Sequence, residues 1–213
     1  MAQVVGQRAE LAVKLGLLAV LACTAFALVL LLWRGQEDTT RNEVVTQPIA
    51  FSHKHHVGDV GLDCRFCHAQ VEHSASPGFP STQVCLGCHS QLFAGQAMFE
   101  PLRESARTGA PVAWKRVHRL PDFVYFDHSI HAAKGVACID CHGRVDQMPL
   151  MRRVSSLRMD WCIDCHRNPQ PHLRDPSHVF DMRPLGVDDM ASVQMLSRLQ
   201  SQQRLTDCST CHR

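Results

Sequence analysis

Apolar and polar positions divide the chain into two unlike parts. From Leu15 to Trp33, nineteen residues (LGLLAVLACTAFALVLLLW) carry no charge and present no polar face. As a helix this run is about 28 Å long at 1.5 Å rise per residue, close to the hydrocarbon thickness of a bilayer. Arg8 and Lys14 lie on one side of it and Arg34 on the other, and Trp33 suits a membrane interface. The pattern predicts a transmembrane anchor within residues 1–34. A cleaved signal peptide is the rival reading. Ala25-Phe26-Ala27 resembles a cleavage site but lies inside the apolar run, and the weak lipoprotein box Val20-Leu21-Ala22-Cys23 has further apolar residues behind it.

Beyond Arg34 the pattern changes. Residues 35–50 are polar and read as a linker. Residues 51–213 show short apolar runs broken by Pro and Gly, which predicts a mainly α fold with much irregular structure. A helix is expected near Ser90–Arg107, interrupted or started at Pro101. Another is expected over 188–205, with Met190, Val193, Leu196 and Leu199 on one side and Asp188 as N-cap. Composition then narrows the class. Aromatics are only 6% of 213 residues, while Cys reaches 11 and His 14. A chain so poor in large side chains and so rich in metal ligands fills its centre with something other than side chains. The formal net charge is +2 and there is no long basic run, which argues against nucleic acid as a partner.

The cysteines settle the chemistry. Ten of the eleven fall in C-x-x-C-H motifs: Cys64/Cys67/His68, Cys85/Cys88/His89, Cys138/Cys141/His142, Cys162/Cys165/His166 and Cys208/Cys211/His212. This is the attachment motif of c-type haem. Two thiols three residues apart can bond the two vinyl groups on one porphyrin edge, and the next residue sets an imidazole under the iron as proximal ligand. A zinc site needs four ligands but no His fixed after the second Cys. A disulfide framework has no need of that spacing five times. The sequence therefore calls for five covalently bound haem c groups. With about 33 residues of 51–213 per haem, the porphyrins must be most of the core.

Nine His remain, and two pairs repeat. Phe51-Ser52-His53-Lys54-His55-His56 precedes the first motif and Phe126-Asp127-His128-Ser129-Ile130-His131 the third, both reading F-x-H-x-x-H. His at i and i+3 share a helical face and can point at two neighbouring irons. His53, His56, His128 and His131 are thus candidate distal ligands. His118 is the first candidate for a fifth, with Met148, Met151, Met159, His172 and His178 as alternates; a Met ligand would raise that haem's potential. His55 and His73 read as surface residues. The haem region divides into dihaem modules at about 51–89 and 126–166 and a fifth haem at 208–212. Arg outnumbers Lys, 18 to 4. Guanidinium groups suit haem propionates, so Arg65, Arg116, Arg119, Arg144, Arg152, Arg153 and Arg167 are expected among the contacts.

The F-x-H-x-x-H element followed by C-x-x-C-H resembles the class III multihaem cytochromes of the c3 and c7 type. Over 101–183 the stretches PLRESARTGAPVAWKRVHRLPDFVYFDHSIH, GRVDQMPLM and MDWCIDCHRNP resemble the pentahaem membrane-anchored subunit of bacterial alternative complex III. The resemblance implies an electron-transfer subunit, with no catalytic site of its own, in a quinol-oxidising respiratory complex. It also implies partners: an iron–sulfur subunit, polytopic quinone-binding subunits, and a monohaem cytochrome or a terminal oxidase that takes the electrons. The location it implies is the bacterial cytoplasmic membrane, with the haem domain on the periplasmic side. A self-contained quinol dehydrogenase of the small multihaem type is the alternative. A haem reductase of oxyanions would need an open iron, often marked by Lys in place of the motif His; all five motifs here end in His.

Overall fold

The computed structural model describes residues 6–36, 40–184 and 205–212. Its chain forms two compact units, Met1–Thr40 and Arg41–Arg213. The first is the helix α1 (Gln7–Gln36). Apolar side chains are exposed all round it, from Leu11 at 58% to Leu31 at 69%. A helix that is apolar on every side requires an apolar surrounding, and Gln7–Gly35 is long and apolar enough to cross a membrane. A signal sequence has the same properties.

The second unit consists of short helices joined by turns, and the described residues contain no strand. The helices are α2 (Cys64–Cys67), α3 (Thr82–His89), α4 (Glu100–Thr108), α5 (His128–Ala133), α6 (Cys138–His142), α7 (Met159–Arg167) and α8 (Cys208–Cys211). One π-helical turn spans Lys54–Asp59, and a 3₁₀ turn spans Val145–Gln147. Strand pairing is limited to two isolated bridges, Val44–Arg152 and Val136–Leu173. The helix expected from Ser90 starts later. Pro101 presets the first turn of α4, whereas Ser90–Gln96 form turns around Gly95 and a left-handed Phe93. The helix expected over 188–205 falls on 185–204, outside the described residues. The linker is shorter than the sequence pattern suggested. Asn42 donates to the Arg153 carbonyl at 2.7 Å, Gln47 pairs through its amide with both backbone groups of Lys115, and Ile49 is buried.

The side-chain core is thin. Among the described residues the buried apolar side chains are Ile49, Leu102, Ala137, Met148, Leu173, Val179 and Met182. That is too little to hold a unit of this size without other buried groups. Arg174 is among the most buried residues. Its Nη1 donates to the carbonyls of Asp181 and Arg183 at 3.1 and 3.2 Å, which closes the loop over Val179 and Met182. The turn at Gly135 lies against this loop, and the Gly135 carbonyl accepts from the Arg174 N–H at 2.9 Å.

Candidate haem-binding site

Each C-x-x-C-H motif occupies a helical turn, α2, α3, α6, α7 and α8 in order, so i and i+3 spacing brings both thiols of a pair to one face. All ten thiols are free. Burial raises most of them, Cys138 and Cys141 to about 12, which keeps them protonated. Among the described residues no three His, Cys, Asp or Glu side chains converge as a metal-ion cluster would require. The thiols are paired along helix faces rather than gathered in fours, which fits thioether attachment and not zinc.

The imidazoles carry the clearest sign. His68, His89, His166 and His212 point Nδ1 at the carbonyls of Gly78, Leu92, Leu205 and Phe123, at 2.8, 3.1, 2.7 and 3.1 Å. His56, His128 and His131 do the same toward Ser52, Ala75 and Asp127, at 2.8, 2.7 and 2.7 Å. A carbonyl only accepts, so each Nδ1 must carry the proton. Each Nε2 is left with a lone pair, the tautomer and orientation that a metal-ligating His needs. Burial holds His53 and His118 down to about 4 and His142 to about 3, so these rings are neutral at physiological pH. His53 Nδ1 and His118 Nε2 are buried and lack a hydrogen-bond partner. Buried orphan nitrogens of this kind are costly unless something binds them.

The distances between rings agree. With a metal–nitrogen bond of roughly 2 Å and about 1.1 Å from nitrogen to ring centre, two imidazoles across one iron have centroids about 6 Å apart. His56–His89 and His131–His166 are 6.1 Å apart, and His128–His142 are 6.4 Å apart. His53 faces the remaining proximal ligand, since His68 is the nearest charge acting on it. His118 lies only 4.3 Å from His142, too close to sit across an iron from it. Among the described residues His212 makes a ring contact with Phe123 alone, at 5.9 Å.

The two F-x-H-x-x-H elements are built alike. Phe51 stacks on His56 at 4.4 Å and meets His53 edge-on at 4.8 Å. Phe126 stacks on His131 at 4.5 Å and meets His128 edge-on at 4.7 Å. In both, one Phe fixes two imidazoles at right angles. Asp127 caps α5 by accepting from the Ser129 and Ile130 N–H groups, while His53 stands at the N-cap of the π-helical turn.

The other candidates are placed differently. Met148 is buried, with its methyl close to Gly143, and fills space beside α6; Met159 is 69% exposed and Met151 half-buried. His172 lies 3.9 Å from Asp140, and His178 is exposed, as are His55 and His73. Of the expected propionate contacts, Arg65 and Arg144 are already bidentate on Asp63 and Asp146. The carbonyl acceptors at Ser52, Ala75, Gly78, Leu92, Phe123, Asp127 and Leu205 left no mark in the sequence, because any residue supplies a carbonyl.

Four substitutions test the distal assignments one at a time. His53→Ala, His56→Ala, His128→Ala and His131→Ala should each keep every covalent haem and each create one high-spin iron, visible in electronic and EPR spectra. Four low-spin spectra would contradict the ring geometry.

Residues 124–213 match the family described as cytochrome c7 and related cytochrome c. The chain is also 39% identical over 99 residues to a "Menaquinone reductase, multiheme cytochrome c subunit" from Nitratidesulfovibrio vulgaris strain Hildenborough. That match covers 45% of this chain and 45% of the relative, so the chain spans about half the length of the curated relative it matches. With the motif helices and the oriented imidazoles, the match identifies residues 124–213 as a multihaem domain of the cytochrome c7 type, which carries covalently bound haem c.

Proposed function

We propose that the chain is an electron-transfer subunit of a quinol-oxidising respiratory complex, alternative complex III, that relays electrons through five covalent haem c groups. The observation that carries this reading is the set of imidazoles whose Nδ1 atoms are fixed on carbonyls and whose ring pairs stand 6.1–6.4 Å apart. Two axial imidazoles leave an iron no open position for a substrate, so the chain conducts and does not itself catalyse bond making. Bound haem c supplies one-electron iron chemistry. The chain's own residues hold it: Cys64/Cys67, Cys85/Cys88, Cys138/Cys141, Cys162/Cys165 and Cys208/Cys211 by thioether, and His68, His89, His142, His166 and His212 on the proximal side. His53, His56, His128 and His131 take the distal side, with His118 beside the third motif. The relative named above is a subunit of a menaquinone reductase, and a relay conducts in either direction.

In this reading α1 anchors the chain in the cytoplasmic membrane and the haem domain lies on the periplasmic side. The partners are an iron–sulfur subunit, polytopic quinone-binding subunits and a monohaem cytochrome or terminal oxidase. The runner-up is a chain that oxidises quinol by itself. Between Leu15 and Trp33 there is no His, Asp or Glu to accept a quinol proton at membrane depth, and one helix cannot enclose a quinone ring. The haem-loaded chain, separated from its partners, is therefore expected to be reduced by dithionite but not by a menaquinol analogue. Fast, inhibitor-sensitive reduction by the quinol would replace this reading with the runner-up.

A further inference from the structure

We infer that the five motifs do not line up in chain order but stand in the row second, first, third, fourth, fifth, with the second and fifth at the ends. This rests on the five-haem reading and adds the spatial order that the motifs themselves leave open. The first and second motifs are neighbours because their distal ligands are three residues apart. His56 faces His89 at 6.1 Å while His53 faces His68. The third and fourth are neighbours for the same reason: His128 and His131, on one turn of α5, face His142 at 6.4 Å and His166 at 6.1 Å.

The link between these pairs decides the order, and it runs through the first motif. The Cys138 N–H donates to the Val179 carbonyl at 3.0 Å, and the ring of the next residue, Phe180, carries the Arg65 guanidinium at 4.5 Å. One dipeptide thus touches the opening of the third motif and the middle of the first. The turn 54–59 also packs on 145–147, just past His142. The Lys54 N–H donates to the Met148 carbonyl at 3.0 Å, and a Cβ at Gly58 would lie 2.3 Å from the Asp146 carbonyl oxygen. The second motif's other contacts go elsewhere. Thr82 bonds Ser105 of α4, and His89 packs on Phe99 at 4.5 Å. At the far end His166 Nδ1 donates to the Leu205 carbonyl at 2.7 Å, immediately before α8. The thiols support each link, since Cys85 acts on Cys67, Cys64 on Cys138, Cys165 on Cys141 and Cys211 on Cys162.

The test is a crystal structure of the native holoprotein with iron located by anomalous scattering. Five iron peaks are expected in an unbranched row, and tracing the thioethers should give the order second, first, third, fourth, fifth. Five peaks with the second motif's iron between those of the first and third would overturn the order and leave the five-haem reading standing. Fewer than five peaks would overturn both.

Discussion

Replacing Cys138 and Cys141 together by Ala should yield a chain with one covalent haem fewer and a haem domain far less stable than any other cysteine-pair variant. The expected loss of c-type absorbance is about one-fifth, since one attachment of five is removed. The structural loss should exceed that share. The third motif is where both dihaem modules meet. His142 lies among His118, His128, His68 and His53, and burial leaves it among the most strongly shifted rings in the molecule. Without a porphyrin there, His128 and His118 lose what their buried nitrogens bind, and α5 loses one of its two anchoring points. Cys85→Ala/Cys88→Ala removes an equal amount of haem from α3, where Leu102 and Ser105 of α4 still pack. Thermal unfolding of the two holo variants, followed at the haem band, should place the Cys138/Cys141 variant well below the other. Equal midpoints would contradict the central place given to the third motif.

Gly135→Ala is expected to cost about 3–5 kcal/mol, at the upper end for a single substitution. Gly135 has φ +83, where an L side chain is strained, and a Cβ there would stand 2.1 Å from the Arg174 carbonyl oxygen. The obstacle is backbone and cannot swing away. Relief would push the 174–183 loop outward, with Val179, whose carbonyl holds the Cys138 N–H. Gly95→Ala is the control, because nothing lies within 4 Å of its added methyl. Urea unfolding of the holo domain should separate the two variants by most of that figure.

What the sequence disclosed and what it withheld have separate physical causes. Attachment chemistry is local: a C-x-x-C-H fits within one helical turn, so the haem-bearing residues were legible from spacing alone. The repeated F-x-H-x-x-H was legible for the same reason. The partner of each distal His was not, because it depends on how far-apart turns pack, as when Ala75 orients His128 across 53 positions. Gly135 and Arg174 were also invisible. Their roles come from a backbone approach and from burial of a guanidinium, and neither has a pattern in the chain. The helix at Ser90 was placed too early because apolar periodicity around Leu92 and Phe93 suggested core contacts. Both side chains are exposed on the protein surface, at 56% and 63%, on the side of α3 that carries Cys88 and His89.

The central claim is that every C-x-x-C-H of this chain carries a haem by thioether bonds. The most direct test is the intact mass of the natively produced protein, measured under denaturing conditions that strip any group not covalently bound. The account predicts the mass of the chain plus five haems. A mass corresponding to fewer haems, or to the bare chain with its colour lost on denaturation, would contradict it.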